Sequence, residues 1–120
     1  MNVEQIRQTF ISSDSEHLIV LDWDADILPF LQNGSAVSFN TLQDDEIETV
    51  MKSLIMLPCI NNATEIVFNL SVREQYCCKT WQISLISNTL CSIPSQPSIV
   101  WSYTKSSSQS ANIKISILYY

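Results

Sequence analysis

IVFNLSVR, residues 66–73, sets Ile66, Phe68, Leu70 and Val72 in alternation with Val67, Asn69, Ser71 and Arg73. A period of two is what a strand shows when one face lies on a core. The pattern recurs downstream. Residues 77–87 repeat it with Trp81, Ile83 and Leu85, residues 99–103 make a third run, and Ile113, Ile115, Ile117 and Tyr119 make a fourth. Four consecutive runs joined by polar connections predict an antiparallel four-stranded, or larger, meander sheet. Its apolar face needs a cover, and the upstream half of the chain supplies helices.

The clearest of these helices spans about residues 41–57. Asn40 or Thr41 is its candidate cap, and Asp44, Asp45 and Glu46 fall in its first turns, where the helix dipole favours anions. Ile47, Val50, Met51, Leu54, Ile55 and Leu57 form a wide apolar stripe, and Pro58 marks the end. Nearer the N-terminus, Val3, Ile6, Phe10 and Ile11 predict a helix over residues 2–13. Residues 18–23 read as a short buried strand, 25–32 as a brief helix with Pro29 in its first turn, and 36–39 as a minimal strand. The expected fold is α+β: N-terminal helices packed on a C-terminal antiparallel meander, in a single domain over residues 1–120.

A chain of 120 residues buries enough surface to fold without a disulfide or metal. No apolar run approaches the roughly 20 residues of a membrane span, and MNVEQIRQTF lacks the basic start and apolar stretch of a secretory signal, so a cytoplasmic location is expected. The cysteines fit that reading. Cys59, Cys77, Cys78 and Cys91 show no C-x-x-C spacing, and His17 is the sole histidine, so reduced thiols and no metal site are expected. There is no phosphate-binding glycine loop, since Gly34 is the only glycine, and no nucleophile elbow that His17 could serve.

Charge is distributed unevenly. Residues 1–60 hold ten acids against Arg7 and Lys52, a net of −8, whereas residues 61–120 hold Glu65 and Glu74 against four basic residues, a net of +2. Such a field repels nucleic acid and anionic membranes and attracts basic surfaces.

The stretch LIVLDWDAD, residues 18–26, resembles the first motif of haloacid-dehalogenase-type phosphatases, an apolar strand ending in Asp-x-Asp. That resemblance would make Asp22 the nucleophile and Asp24 the acid/base. The rest of the chain departs from the family. Ala25-Asp26 stand where a small residue and then Thr or Val belong, and no parallel doubly wound sheet follows to supply the later lysine and acidic pair. Without a workable catalytic set, no enzymatic activity and no cofactor are expected. The acids then read as a protein-binding surface of Asp22, Trp23, Asp24, Asp26, Asp44, Asp45, Glu46 and Glu48, with Trp23 as an aromatic anchor among carboxylates.

In size, acidity and element order the chain resembles the small bacterial immunity proteins that neutralise toxins, including those of contact-dependent growth inhibition. The resemblance implies a non-catalytic inhibitor whose carboxylates occupy the groove of a basic toxin domain, such as a nuclease. A secretion chaperone or complex subunit is the alternative. Another is a small-ligand-binding domain with a cone-shaped cystatin- or nuclear-transport-factor-like fold.

Overall fold

The computed structural model describes residues 3–10, 16–17, 21, 23–107 and 109–120. Among them the elements run α1 (Val3–Phe10), β1 (Glu16–His17), a π-helical turn (Trp23–Ile27), α2 (Leu28–Asn33), β2 (Ser35–Thr41), α3 (Glu46–Ile55), α4 (Pro58–Asn61), β3 (Glu65–Arg73), α5 (Thr80–Cys91), β4 (Ser98–Ser106) and β5 (Ile113–Tyr119). The fold is α+β, with one sheet in the order β1-β4-β3-β5-β2.

β3 lies at the centre of this sheet, which explains its composition. Seven successive residues, Ile66 to Val72, are buried because helices cover both faces. On one face Ile66, Phe68, Leu70 and Val72 join Ile113, Ile115 and Ile117 of β5 under Ile47, Met51 and Leu54 of α3 and Ile86 and Leu90 of α5. On the other, Val67 and its register partner Leu118 meet Ile6 and Phe10 of α1, Leu21, Ile27 of the π-helical turn and Phe30 of α2.

The expected meander is corrected at one element. Residues 77–87 do not form a second strand; Thr80–Cys91 is helix α5. Its buried positions are Gln82, Ile86 and Leu90, spaced by four, while Trp81 and Ile83 are exposed. Because the chain crosses over through α5, β4 returns parallel to β3, pairing Glu65 with Ser98 through to Arg73 with Ser106. β5 then runs antiparallel between β3 and β2, so the sheet is mixed. The helices are accordingly not confined to the N-terminal half.

Several boundaries also move. Residues 18–20 and Asp22 of the expected strand lie outside the described residues, and Trp23 opens the π-helical turn instead of closing a strand. β2 is a full seven-residue strand. Thr41 ends that strand and Asp45 stands at the α3 cap position without a side-chain cap bond. Glu46 compensates, its carboxylate accepting the Leu42 N–H at 3.0 Å. Pro58 opens α4 two residues after the Met56 cap of α3, where its fixed φ is an advantage.

Gly34 joins α2 to β2 at a point with no room for a side chain. A Cβ there would sit 2.5 Å from the Tyr119 carbonyl oxygen and 2.9 Å from that of Phe30. Both obstacles are backbone, so relief requires moving β5 or the end of α2. Gly34→Ala is expected to lower stability by about 1–3 kcal/mol in urea denaturation. A neutral substitution would place the α2–β2 junction elsewhere.

Candidate functional site

The eight acidic-surface residues do not come together. Asp22 lies outside the described residues. Trp23, Asp24 and Asp26 belong to the π-helical turn, in the layer over Val67 and Leu118. Asp44, Asp45, Glu46 and Glu48 lie at the start of α3, which covers the opposite face of the sheet. Trp23 is half-buried against the core of its own layer, and the Arg7 guanidinium lies 4.7 Å from its ring centroid. Packing and a cation–π contact already occupy that ring.

The α3 acids are partly committed as well. The Tyr76 hydroxyl donates to Asp44 Oδ1 at 2.5 Å, and Lys79 forms an ion pair with Asp44 Oδ2. Gln82, fully buried, donates from Nε2 to the Asp44 carbonyl at 3.1 Å, while its Oε1 accepts the Lys79 N–H at 2.8 Å. The Cys78 thiol lies 3.6 Å from the same Oε1. Burial, and then the neighbouring Cys77 thiol, push the Cys78 thiol above its ordinary pKa, so it stays protonated at neutral pH.

This network joins the N-terminal end of α3 to that of α5. Glu48 pairs with Lys52 one turn along α3, in an exposed contact of little energetic weight. Asp45 is left as an exposed carboxylate at this end. Asp44→Ala is expected to cost about 1–2 kcal/mol, because it removes the carboxylate that accepts the Tyr76 hydroxyl and pairs with Lys79, whereas Asp45→Asn should cost less than about 1 kcal/mol. Equal losses in urea denaturation would show that Asp44 is not the strut between the helices.

The missed feature is Trp81 on the outer side of α5, with Ile83 on the other flank of the buried stripe. Trp81 is 46% exposed and Ile83 is 38% exposed, and the helix sequence TWQISLISNTLC contains no charged residue. A surface helix normally turns charge to solvent, so an apolar aromatic in that position is unusual. The signal in the sequence was the uncharged run from Thr80 to Cys91, but its reading as a strand put Trp81 in the core. Because the N-termini of α3 and α5 are tied together, Trp81 lies at the same end of the helical layer as Asp45 and Glu46. The arrangement offers apolar area beside carboxylates. Among the described residues no group of three His, Cys, Asp or Glu side chains is placed to hold a metal ion.

The other sheet face carries a buried polar row. Thr104 Oγ1 donates to Asn69 Oδ1 at 3.0 Å, and the Ser38 and Ser116 hydroxyls lie 2.8 Å apart. Asn69 Nδ2 and Ser102 Oγ are buried in the same row with no hydrogen-bond partner among the described residues.

No protein-family model matches the chain, and no curated protein matches it. Solved structures do. A single-substitution mutant of FtsZ from M. jannaschii superposes with a TM-score of 0.65 at 14% identity, over 98% of this chain and 36% of that one. The empty FtsZ dimer from the same organism gives 0.55 at 16% identity, over 97% of this chain and 36% of that one. Thiamine-monophosphate kinase from Stenotrophomonas maltophilia K279a gives 0.41 at 14% identity, over 98% of this chain and 40% of that one. The chain thus spans about a third of the length of the FtsZ chains it matches. At these identities the FtsZ likeness describes the fold alone. No helix of the described residues is long and apolar enough to cross a membrane.

Proposed function

We propose that this chain is a non-catalytic protein-binding module that docks a basic protein on the N-terminal end of the α3–α5 layer. The observation that carries the reading is Trp81, an exposed aromatic on an uncharged helix beside the acidic start of α3. A Trp of this kind supplies the apolar anchor of an interface, and the carboxylates at the same end of the layer supply a charged rim. The net charge of −6 favours a basic partner and disfavours nucleic acid and anionic membranes.

Within that reading, an immunity protein that blocks a basic toxin domain is the favoured role. Carboxylates of Asp45 and Glu46 would take the place of phosphates in a toxin groove, and Trp81 would fill an apolar recess at its edge. Four unpaired cysteines suit the reducing cytosol, which is where we place the protein. Asp24 and Asp26, on the opposite layer, have no part in this surface. The FtsZ structure that is a dimer supports the reading only in that this fold type occurs in an assembled protein.

Affinity capture from the native cell tests the proposal with two baits, the natural chain and a Trp81→Ser, Ile83→Ser variant. A basic protein retained by the first and lost from the second is the expected result. Recovery of the same partner on both baits would remove the α5 face from the interface. Magnesium-dependent hydrolysis of a phosphate ester that disappears in Asp22→Asn would overturn the non-catalytic reading altogether.

A further inference from the structure

The hydrogen-bond phase of the sheet shows which groups are open at its β2 edge. Glu65 and Tyr120 exchange both backbone bonds, at 3.1 and 3.2 Å, and the Arg73 N–H reaches the Asn112 carbonyl at 3.0 Å. The register between these two points is unbroken, so the even-numbered residues of β5 direct their N–H and C=O groups to β3. The odd-numbered ones, Ile113, Ile115, Ile117 and Tyr119, therefore bond to β2, where they stand opposite Thr41, Phe39, Val37 and Ser35. It follows that Ala36, Ser38 and Asn40 direct both backbone groups away from the sheet. β2 is the last strand in the order, and among the described residues nothing pairs with it on that side.

This edge lacks the devices that keep sheet edges from pairing. Ser35–Thr41 contains no proline and no charge, and its register with β5 shows no bulge. The opposite edge differs, since β4 is covered in part by β1.

We propose that the β2 edge is a self-association surface, where a second copy of this chain adds its own β2 in antiparallel register about Ser38. The sequence SAVSFNT is self-complementary under that operation. Ser38 meets Ser38, Val37 meets Phe39, Ala36 meets Asn40, and Ser35 meets Thr41. Val37 and Phe39, which are only partly buried at the edge of the core, then cover each other. The three outward N–H and three outward C=O groups of each strand pair reciprocally, giving six backbone bonds.

The absence of charge on β2 itself permits a second copy as the occupant. In a chain of net −6, an uncharged strand is where two copies can approach without opposing carboxylates. The two-fold axis stands perpendicular to the sheet, so both α3 helices, which pack beside β2, lie on the same side of the joined sheet. Their acids repel across the contact, and added salt relieves that repulsion. The dimer is therefore expected to tighten with salt, opposite in sign to the binding of a basic partner. One strand pair buries less than the roughly 800 Å² per partner of a standard interface, so dimerisation is concentration-dependent.

Sedimentation equilibrium of the whole chain from about 10 μM to about 1 mM, at two salt concentrations, tests the proposal. A monomer–dimer equilibrium is expected, with amide exchange at Ala36, Ser38 and Asn40 slowing as concentration rises. Asn40→Pro removes an outward donor, and with it two of the six bonds, while leaving the bonds to β5 intact. It should weaken the dimer about tenfold or more. Ser38→Lys, which opposes two cations at the axis, should do the same and serves if Asn40→Pro fails to fold. A monomer at every concentration would overturn the proposal. So would a dimer indifferent to both substitutions, or one lost instead in Trp81→Ser, which would move the contact to the helical layer.

Discussion

Phe68→Ala is expected to lower stability by about 3–5 kcal/mol. Phe68 is fully buried at the middle of β3. Its ring centroid lies 4.9 Å from that of Trp101, with 57° between the planes, and it belongs to the cluster beneath α3 and α5. The central strand cannot collapse into the space because strands flank it and helices cover both faces. Urea denaturation of the variant gives the loss directly. A loss below about 1.5 kcal/mol would mean that Phe68 does not face the α3–α5 layer.

Leu54→Ala is expected to cost about 2–5 kcal/mol for the same reason seen from the helix side. Leu54 is fully buried in the last turns of α3, on the stripe with Ile47 and Met51. Met56, two residues on, is 78% exposed, and Met56→Ala should change stability by less than about 0.5 kcal/mol. Similar losses from the two truncations would show that α3 is rotated about its axis.

The contrast between α3 and α5 shows what the sequence could reveal. In α3 the apolar residues recur at helical spacing with charges on the outer face, and Ile47, Met51 and Leu54 are indeed the buried set. In α5 the two cues conflict. A buried position is filled by polar Gln82, whose cost is met by Asp44 and Lys79 from elsewhere, while Trp81 and Ile83 face solvent. Trp81, Ile83 and Leu85 then mimic the alternation of a strand. Only Ile86 and Leu90, four apart, kept the helical signal. Once that segment became a helix, parallel pairing of β3 with β4 followed, because a crossover is needed to return the chain in the same direction.

The acidic site was legible as composition but not as geometry. Charge counting found the carboxylates of residues 44–48, yet it could not anticipate that Lys79 would neutralise Asp44. Nor could it place residues 23–26 and 44–48 on opposite sides of the sheet, since that depends on which face each helix covers. The outward phase of Ala36, Ser38 and Asn40 was equally hidden, because it is set by the β3–β5 hydrogen bonds. The alternation in residues 66–73 was read correctly as a strand. That both of its faces would be covered required the N-terminal helices to be placed.

The most direct test of the protein-binding account is the kinetics of the captured partner on the natural chain, on Trp81→Ser and on Asp24→Lys. Trp81→Ser should speed dissociation about tenfold or more while the variant keeps the stability of the natural chain. Asp24→Lys, on the far layer, should leave both rates nearly unchanged. Natural binding rates in Trp81→Ser, or association slowed markedly by Asp24→Lys alone, would contradict the account.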